Sequence, residues 1–333
     1  MGYAAEKKQI SRKKKILFWV IGGILFLCFV GLGLFSFFCP LQTWKYYFSL
    51  PTVSKRKAGE LRIHFLDVGQ GDCTLVELPD NKILLIDGGN GSGANDKKIM
   101  RYLNALEIER IDYLVLTHAD GDHAGGLDTV LKYKTVKNVY YPYLENPSVN
   151  REYAQFYEKL LDENCKKFIS ERYLTISSKK ENYPFTLAFL SPYSLETNAD
   201  VAGENDDSAV LWLEYQGVSA MFLGDASTAV ERRLMQADQV NIFEEIGVKL
   251  FQNTDVLKVA HHGSADSTSA EFLEYLQVQT AVISVGKDNA YGHPDGEVLT
   301  NLLSKGVETF RTDEKGTVVL TVKDGKYTAK FIK

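Results

Sequence analysis

Cysteine is scarce in this chain of 333 residues, and its positions exclude two common designs. Cys28 and Cys39 lie in an apolar N-terminal stretch, and each follows a large apolar residue where a lipoprotein signal requires a small one. Cys73 and Cys165 are the only cysteines beyond that stretch, so a disulfide-rich scaffold is excluded. A single disulfide between these two is possible in an oxidising compartment, but their wide separation in sequence disfavours it.

The sequence also lacks internal repeats and low-complexity tracts. Its composition, 45% hydrophobic and 24% charged residues, is that of a folded protein rather than a disordered one. A chain of this length can form one large or two ordinary domains with a substantial core.

No charged residue lies between Ile16 and Trp44, and this apolar stretch is long enough to span a bilayer as a helix. A cleaved signal peptide is the alternative, but the stretch is long for one and no suitable cleavage site follows. Six basic residues and one acidic residue precede it, so the positive-inside rule places the head in the cytoplasm and the remainder outside the cell. We therefore predict a basic cytoplasmic head (1–15), a transmembrane anchor (16–39), a linker (40–60) and a globular domain (61–333).

Within the globular domain, short apolar segments typical of strands alternate with segments whose apolar residues recur at the period of a helix. Hairpin-type turns such as "LPDNKI" and "VKDGKY" require partly antiparallel sheets, which disfavours a purely parallel, doubly wound fold. The predicted strands are 61–67, 73–78, 82–86, 112–117, 185–190, 209–215, 218–223, 256–260, 280–285, 317–322 and 326–332. The predicted helices are 97–107, 126–134, 151–164, 228–237, 269–276 and 296–304.

The segment "VLTHADGDHAGG" (115–126) concentrates potential metal ligands at the end of a predicted strand. His118 and Asp120 are two residues apart in extended chain and point the same way, and Asp122 and His123 follow in the turn. A loop that caps the next helix, with Asp122 as the N-cap, is the alternative. Capping needs only one carboxylate, whereas here two histidines bracket two aspartates, so the pattern favours a metal site.

Two further predicted strands deliver side chains of the same kinds. "SAMFLGDAS" (219–227) ends in Asp225, and "VLKVAHHGS" (256–264) ends in His261 and His262. His293 lies further along in "NAYGHPDGE", whereas His64 is expected to be an ordinary packed histidine of a strand. Four of the six histidines therefore fall in two motifs that both follow strands.

These motifs, together with "FLDVGQGDCTLVELPDNKILLIDGG" (65–89) and "ISVGKDNAYGHPDGEVL" (283–299), resemble the metallo-β-lactamase superfamily. More closely still, the chain resembles the soluble domain of ComEC-type competence proteins, over about residues 61 to 331. The resemblance implies an αββα sandwich, an α/β fold in which two mixed sheets pack face to face, with helices outside and a dinuclear metal site at one edge.

The resemblance also implies roles for individual residues. His118 and Asp120 would hold one metal and Asp122 and His123 the other, with Asp225 as a bridge and His261 or His262 completing the set. Asp122, His262 and His293 are the catalytic candidates, and either of the two histidines could protonate the leaving oxygen. The residues expected to support the ligands are Asp67, Asp87, Asp207 and Ser208.

The sequence departs from the commonest pattern of the superfamily in two places. Asp120 stands where a histidine is usual, and "GENDDSAVLWLEY" (203–215) lacks the histidine of the third motif. These changes favour phosphodiester hydrolysis over β-lactam or thioester hydrolysis. Because three aspartates enrich the site in hard oxygen ligands, manganese is a candidate beside zinc for the two divalent ions.

Charge limits the choice of substrate. The first 57 residues contain ten basic side chains and one acidic one, so 58–333 carries a formal net charge of −14. Such a surface is poorly suited to a polyanion such as DNA, although two basic runs, 131–137 and 166–180, could provide a local path. The leading hypothesis is a membrane-anchored extracellular nuclease acting on DNA. A phosphodiesterase or phosphorylcholine-type esterase for small or wall-linked substrates and a non-catalytic ectodomain are the alternatives, and a separate membrane partner stays open.

Overall fold

The computed structural model describes residues 12–38, 41–144, 146–178, 182–192 and 205–333. The chain divides into two compact units, Met1–Ser49 and Leu50–Lys333. Most of the predicted basic head, residues 1–11, lies outside the described residues, as do residues 179 and 180 of the second basic run.

The first unit contains helix α1, Arg12–Phe38, followed by a short 3-10 helix, Leu41–Tyr46. Within α1 the uncharged segment Ile16–Leu34 is long and apolar enough to cross a membrane. Its large side chains are exposed, including Trp19 and Phe29 at 76% each, which is unfavourable in water and favourable in lipid. By length and composition, α1 is therefore a candidate membrane span.

The second unit contains fifteen strands and eight α-helices among its described residues. The strands are β1 Leu61–Phe65, β2 Thr74–Glu77, β3 Ile83–Ile86, β4 Arg110–Val115, β5 Thr135–Tyr141, β6 Lys166–Ile169, β7 Thr175–Ser177, β8 Phe185–Phe189, β9 Leu211–Tyr215, β10 Val218–Phe222, β11 Val256–Lys258, β12 Thr280–Ile283, β13 Glu308–Arg311, β14 Thr317–Lys323 and β15 Lys326–Ile332. The helices are α2 Gly93–Ala105, α3 Gly121–Ala124, α4 Leu127–Tyr133, α5 Arg151–Asp162, α6 Thr228–Gln239, α7 Ala270–Leu276, α8 Gly296–Ser304 and α9 Thr312–Lys315.

The strands form two mixed sheets. The first has eight strands in the order β15-β14-β1-β2-β3-β4-β5-β6, and the second has seven in the order β13-β12-β11-β10-β9-β8-β7. Strand β3 ("ILLI") is apolar throughout and β10 ("VSAMF") is buried throughout, as expected of strands that are covered on both faces. In contrast, β15 ("KYTAKFI") alternates polar and apolar residues at the edge of its sheet.

The two sheets pack face to face around a shared core. Phe65 of the first sheet and Phe222 of the second lie with ring centroids 6.2 Å apart within one buried cluster. Helices cover the outer faces. Tyr102 of α2 contacts His64 of the first sheet, and Leu234 of α6 and Phe272 of α7 pack on the second sheet. The predicted αββα sandwich is confirmed.

Four strands are absent from the prediction: the seven-residue β5 and the short strands β6, β7 and β13. The run 131–137, predicted as a possible basic path, is divided between α4 and β5. Its Lys134 is buried and lies 3.0 Å from Glu109, and Lys137 lies 3.1 Å from Asp112. Acidic neighbours therefore partly neutralise this run.

The topology brings the motif-bearing loops to one edge of the sandwich. Strands β3 to β6 run parallel in the first sheet, and β10 to β13 run parallel in the second. The segments that follow β4, β10 and β11 carry the three predicted ligand motifs. Side chains from both sheets thus converge where the parallel strands end.

Candidate metal centre

The loop after β4 presents the first motif, and its geometry is not that of a simple capped turn. Asp120 occupies the N-cap position of α3, but its side chain makes no capping hydrogen bond. Asp122 lies inside the helix, with Oδ2 3.1 Å from His262 Nε2. The carboxylates are therefore directed away from the backbone amides that a capping role requires.

His118 and His123 form the floor of the centre. Both are fully buried, and their ring centroids lie 4.1 Å apart. His123 Nδ1 lies 2.9 Å from Asp87 Oδ2, and His118 Nδ1 lies 3.0 Å from Thr117 Oγ1. With each Nδ1 anchored, both Nε2 atoms are left for the centre, which is how metal-binding histidines are held.

Asp225, which follows β10, is the carboxylate that the other groups surround. Its Oδ1 lies 3.1 Å from His123 Nε2, and its Oδ2 lies 3.7 Å from His118 Nε2. The same Oδ2 lies 3.7 Å from His261 Nε2 and 3.8 Å from His262 Nε2. Four histidines thus face one buried carboxylate.

His261 and His262 adopt the left-handed backbone conformation, with φ of 47° and 53°. Two consecutive non-glycine residues in this region are strained, a feature that concentrates at functional sites. His262 Nδ1 donates to the Ser284 carbonyl at 2.9 Å, so its Nε2 faces Asp122. His261 Nδ1 lies 3.4 Å from Asp266 Oδ1, so its Nε2 faces Asp225 from another side.

Several polar atoms at this point are buried without a hydrogen-bond partner among the described residues. They are Asp72 Oδ1, His118 Nε2, His123 Nε2 and Asp225 Oδ1. His123 Nε2 and Asp225 Oδ1 lie close together but are not aligned for a hydrogen bond. Each unsatisfied buried polar group costs about 1–3 kcal/mol, so these atoms fit a centre that is completed by cations.

The pKa values of two histidines in the metal-free protein also fit a centre that binds cations. Burial lowers the pKa of His118 to about 3, which keeps the ring neutral and able to act as a ligand. Burial would also lower the pKa of His262, but the charges of Asp225 and Asp72 outweigh it and raise that pKa to about 10. Without metal, a proton on His262 therefore compensates part of the carboxylate charge, and cation binding must displace it.

Two clusters that consist entirely of predicted ligands form among the described residues. His118, His123 and Asp225 form one cluster of potential ligands, and Asp122, His123 and His262 form a second. Asp120 is more peripheral, with its Oδ2 3.7 Å from His118 Nε2 and a side chain that is 45% exposed. His293 lies beside the centre, with its ring 5.6 Å from that of His261.

The predicted supporting residues differ in their positions. Asp87 accepts hydrogen bonds from the Thr117 amide and hydroxyl, both at 2.8 Å, and Ser208 Oγ accepts from the Asp225 amide at 3.1 Å. Asp67 instead orders its own loop by accepting from the Gly69 amide at 3.1 Å. Asp207 lies in the 3-10 turn Asn205–Asp207, whose Asn205 side chain contacts His261.

The sequence analysis missed a buried ion pair behind His262. Lys258, the last residue of β11, is 2% exposed, and its Nζ lies 2.7 Å from Asp72 Oδ2. The other oxygen of Asp72 lies 3.3 Å from His262 Nδ1. A lone lysine in the apolar segment "VLKVAHH" and the aspartate of "GQGDC" were the available signals.

Glycine allows the Asp72 loop to approach the first motif. Gly71 has φ of 121°, and a Cβ at this position would collide with the Asp122 carbonyl oxygen. The adjacent Asp72 amide donates to that same oxygen at 3.1 Å. A residue larger than glycine would therefore displace Asp122.

With the geometry established, comparison with known proteins decides the family. The family model of the metallo-beta-lactamase superfamily matches residues 66–287. The chain belongs to the metallo-β-lactamase superfamily. Membership in this superfamily implies a metal-dependent hydrolase in general terms, and the His and Asp clusters of this member suggest that it binds divalent metal.

Similar proteins include two competence proteins. ComE operon protein 3 of Bacillus subtilis is 32% identical over 277 residues, which are 78% of this chain and 33% of that protein. Competence protein ComA of Neisseria gonorrhoeae is 30% identical over 259 residues, which are 78% of this chain and 32% of that protein. The chain thus spans about a third of the length of these relatives. Among solved structures, a CmlA beta-hydroxylase mutant covers 80% of this chain and 55% of its own, at 14% identity and a TM-score of 0.49.

Proposed function

We propose that this metallo-β-lactamase superfamily member is a membrane-anchored extracellular phosphodiesterase that binds two divalent cations and acts on DNA. The observation that carries the proposal is the convergence of four histidines and several carboxylates on the buried Asp225, with ligand-type atoms that lack protein partners. Cations would satisfy these atoms and offset the acidic charge.

We divide the ligands into two groups that share Asp225. We assign His118, Asp120 and His261 to site A, and Asp122, His123 and His262 to site B. Asp225 lies between them and contacts histidines of both groups. This assignment uses both residues of the His261-His262 pair and gives site A a third side chain in place of the absent third-motif histidine.

Mixed nitrogen and oxygen ligands suit Zn²⁺ and Mn²⁺. The three aspartates favour Mn²⁺ more than an all-histidine set would, and the buried imidazoles favour Zn²⁺. The competition is testable by loading the metal-free protein with each ion in turn.

A bound pair of divalent ions would lower the pKa of water and neutralise charge on a phosphodiester. The protein's own residues would orient the reaction. Both ring nitrogens of His262 are committed, Nδ1 to Ser284 and Nε2 toward Asp122, so His262 is better suited to binding than to proton transfer. His293, at the rim, is then the group that donates a proton to the leaving oxygen.

DNA is the proposed substrate because competence proteins are among the similar sequences. A second candidate, a small or wall-linked phosphodiester such as a phosphorylcholine ester, is favoured by the formal charge of −14 on residues 58–333. A non-catalytic ectodomain is the third candidate, and the complete set of ligand-type side chains argues against it.

The test uses the full chain in detergent, stripped with a chelator and reloaded with Mn²⁺, Zn²⁺ or Mg²⁺. Substrates are single-stranded DNA, duplex DNA, RNA and bis-p-nitrophenyl phosphate. We expect metal-dependent cleavage of DNA that Asp225→Ala abolishes and Asp324→Asn retains, since Asp324 lies in a distant turn with φ of 51°, which asparagine tolerates. Hydrolysis of bis-p-nitrophenyl phosphate alone would favour the small-substrate esterase, and no hydrolysis with any ion would refute the enzyme.

The orientation is tested separately in intact cells. If residues 58–333 are extracellular, added protease should digest them while the cytoplasmic head is protected. Protection of the globular unit from protease would overturn the proposed topology.

A further inference from the structure

Beside the metal centre, an exposed aromatic side chain stands where ordinary packing does not require one. Tyr291 is 70% exposed, and its ring stacks on that of His293 with centroids 5.7 Å apart and planes 26° apart. The His293 ring in turn lies 5.6 Å from that of His261. A row of rings therefore leads from the centre to solvent and ends in the open face of Tyr291.

The loop that carries Tyr291 is fixed by one asparagine. Asn289 Nδ2 donates to the carbonyls of Gly286 at 3.0 Å and His293 at 2.7 Å. Asn289 Oδ1 accepts from the amides of Tyr291 and His293, both at 3.1 Å. Because these bonds hold the loop before any ligand binds, an aromatic contact there costs little conformational entropy.

Tyr291 borders a cavity that opens onto the predicted ligands. The cavity has a volume of about 530 Å³, and its lining includes Asp120 and Asp122 together with Gln70, Asn90 and Asn289. Among the described residues, no lysine or arginine contributes to this lining. A group bound here would be recognised by stacking and polar contacts rather than by positive charge.

We propose that Tyr291 is a stacking platform for an unpaired nucleobase adjacent to the scissile phosphate. The inference rests on the proposed phosphodiesterase function and narrows its substrate class to single-stranded nucleic acid. A base in a duplex is covered by its neighbours, whereas an unpaired base offers a face to an aromatic ring. Stacking also works without a basic surface, which suits a globular unit with a strongly acidic charge.

The test compares ligands with and without bases on the full chain in detergent with Mn²⁺. The probes are a hexathymidylate with phosphorothioate linkages, which resists cleavage, and an otherwise identical hexamer without bases. We expect Tyr291→Ala to weaken binding of the hexathymidylate by about 5- to 100-fold in fluorescence anisotropy. Tyr291→Trp should retain affinity within about threefold, because it preserves the aromatic face.

The hexamer without bases should bind wild type and Tyr291→Ala equally, because it has nothing to stack. Phe251→Ala is the matched control: Phe251 is 45% exposed and rests on Tyr275, but it lies before β11, at the opposite end of the parallel strands. This variant should bind both hexamers as wild type does.

Two outcomes would overturn the inference: equal hexathymidylate affinity for Tyr291→Ala and wild type, or an equal loss of affinity for both hexamers in Tyr291→Ala. The failure of the proposed function is distinguishable. If Tyr291→Ala selectively loses hexathymidylate binding but wild type cleaves no phosphodiester, the stacking role of Tyr291 is supported and the proposed phosphodiesterase activity is refuted. If bis-p-nitrophenyl phosphate is hydrolysed but no hexamer binds, the phosphodiesterase activity is supported and the stacking role of Tyr291 is refuted.

Discussion

At the residue scale, the buried ion pair of Lys258 and Asp72 shows how the protein orients a predicted ligand. Lys258 contacts one oxygen of Asp72, and the other lies near His262 Nδ1, so the pair helps to fix the direction of His262 Nε2. A charge this deeply buried is tolerated only when it is paired. We therefore propose Lys258 as a positioning residue for the proposed site B.

Lys258→Met should leave Asp72 buried without its cation, a loss that costs about 3–5 kcal/mol when one partner of a buried pair is removed. Metal affinity should also fall by about 10–100-fold, as is usual when a residue that supports a ligand is lost. Urea unfolding in EDTA and competitive metal titration measure the two effects.

The double variant Lys258→Met/Asp72→Asn serves as the control for Lys258→Met. Because it removes both charges, it should recover most of the stability but not the metal affinity. Normal metal affinity in Lys258→Met would show that the pair does not position His262.

Residue identity alone located most of the centre but not its internal arrangement. The sequence left open which of His261 and His262 is a ligand, because adjacent residues in a regular strand would point in opposite directions. Both instead have left-handed backbones, and both rings approach Asp225 Oδ2, with their planes 72° apart. Lys258 and Asp72 were not predicted because nothing in the spacing of their two motifs marks either residue as the partner of the other.

At the element scale, a buried carboxylate joins α6 to the start of α7. Glu231 of α6 is fully buried and accepts hydrogen bonds from the amides of Thr268 and Ser269, directly after the loop that carries His261 and His262. Thr268 Oγ1 in turn accepts from the Ala260 amide at 3.3 Å. Glu231 thus anchors the backbone on both sides of the histidine pair.

Burial raises the pKa of Glu231 to about 7 from its ordinary value of 4.5, against hydrogen bonds that lower it. The folded state therefore holds this proton more tightly than the unfolded state does. Protonation of Glu231 thus contributes about 3 kcal/mol to the free energy of unfolding. This contribution is complete below pH 4.5 and is lost as pH rises to 7.

Glu231→Gln should remove this contribution. As pH rises from 4.5 to 7, the free energy of unfolding of wild type should therefore fall relative to that of the variant. Urea unfolding across this range in EDTA measures it. Glu158→Gln, an exposed site on α5, should leave the wild-type profile unchanged. Parallel profiles for wild type and Glu231→Gln would contradict the raised pKa.

The elements that sequence reasoning predicted are those with long or strongly periodic apolar patterns. All eleven predicted strands and all six predicted helices have counterparts among the described residues. The missed strands β6, β7 and β13 have three or four residues each, and unlike the equally short β3 ("ILLI") they contain polar residues that interrupt the apolar pattern. In β5, "TVKNVYY", lysine and asparagine occupy the less buried positions, so the strand resembled a basic surface run.

At the scale of the whole molecule, the acidic charge of residues 58–333 limits how a nucleic acid can bind. The proposed mode uses one or two phosphates at the cations and a stacked base, without a basic groove. For single strands, each neutralised phosphate lowers the logarithm of affinity by about 0.7 for every tenfold rise in salt concentration. With only one or two phosphates neutralised, binding should therefore depend weakly on salt.

The slope of log kcat/KM for a hexathymidylate with ordinary phosphodiester linkages against log salt should therefore lie near −1, between about −0.7 and −1.4. Cleavage is the proper readout because binding to the basic N-terminal head would not contribute to it. A slope of about −3 or steeper would indicate an extended basic path and contradict this binding mode.

The central claim is that two cations complete the cluster around Asp225, and metal content tests it most directly. The full chain is purified in detergent, loaded with Mn²⁺ or Zn²⁺, dialysed and analysed by mass spectrometry for metal per chain. We predict about two ions in wild type and in Asp324→Asn, and at most one in Asp225→Ala, because its carboxylate contacts ligands of both sites. Fewer than one ion in wild type, or two tightly held ions in Asp225→Ala, would contradict the dinuclear centre.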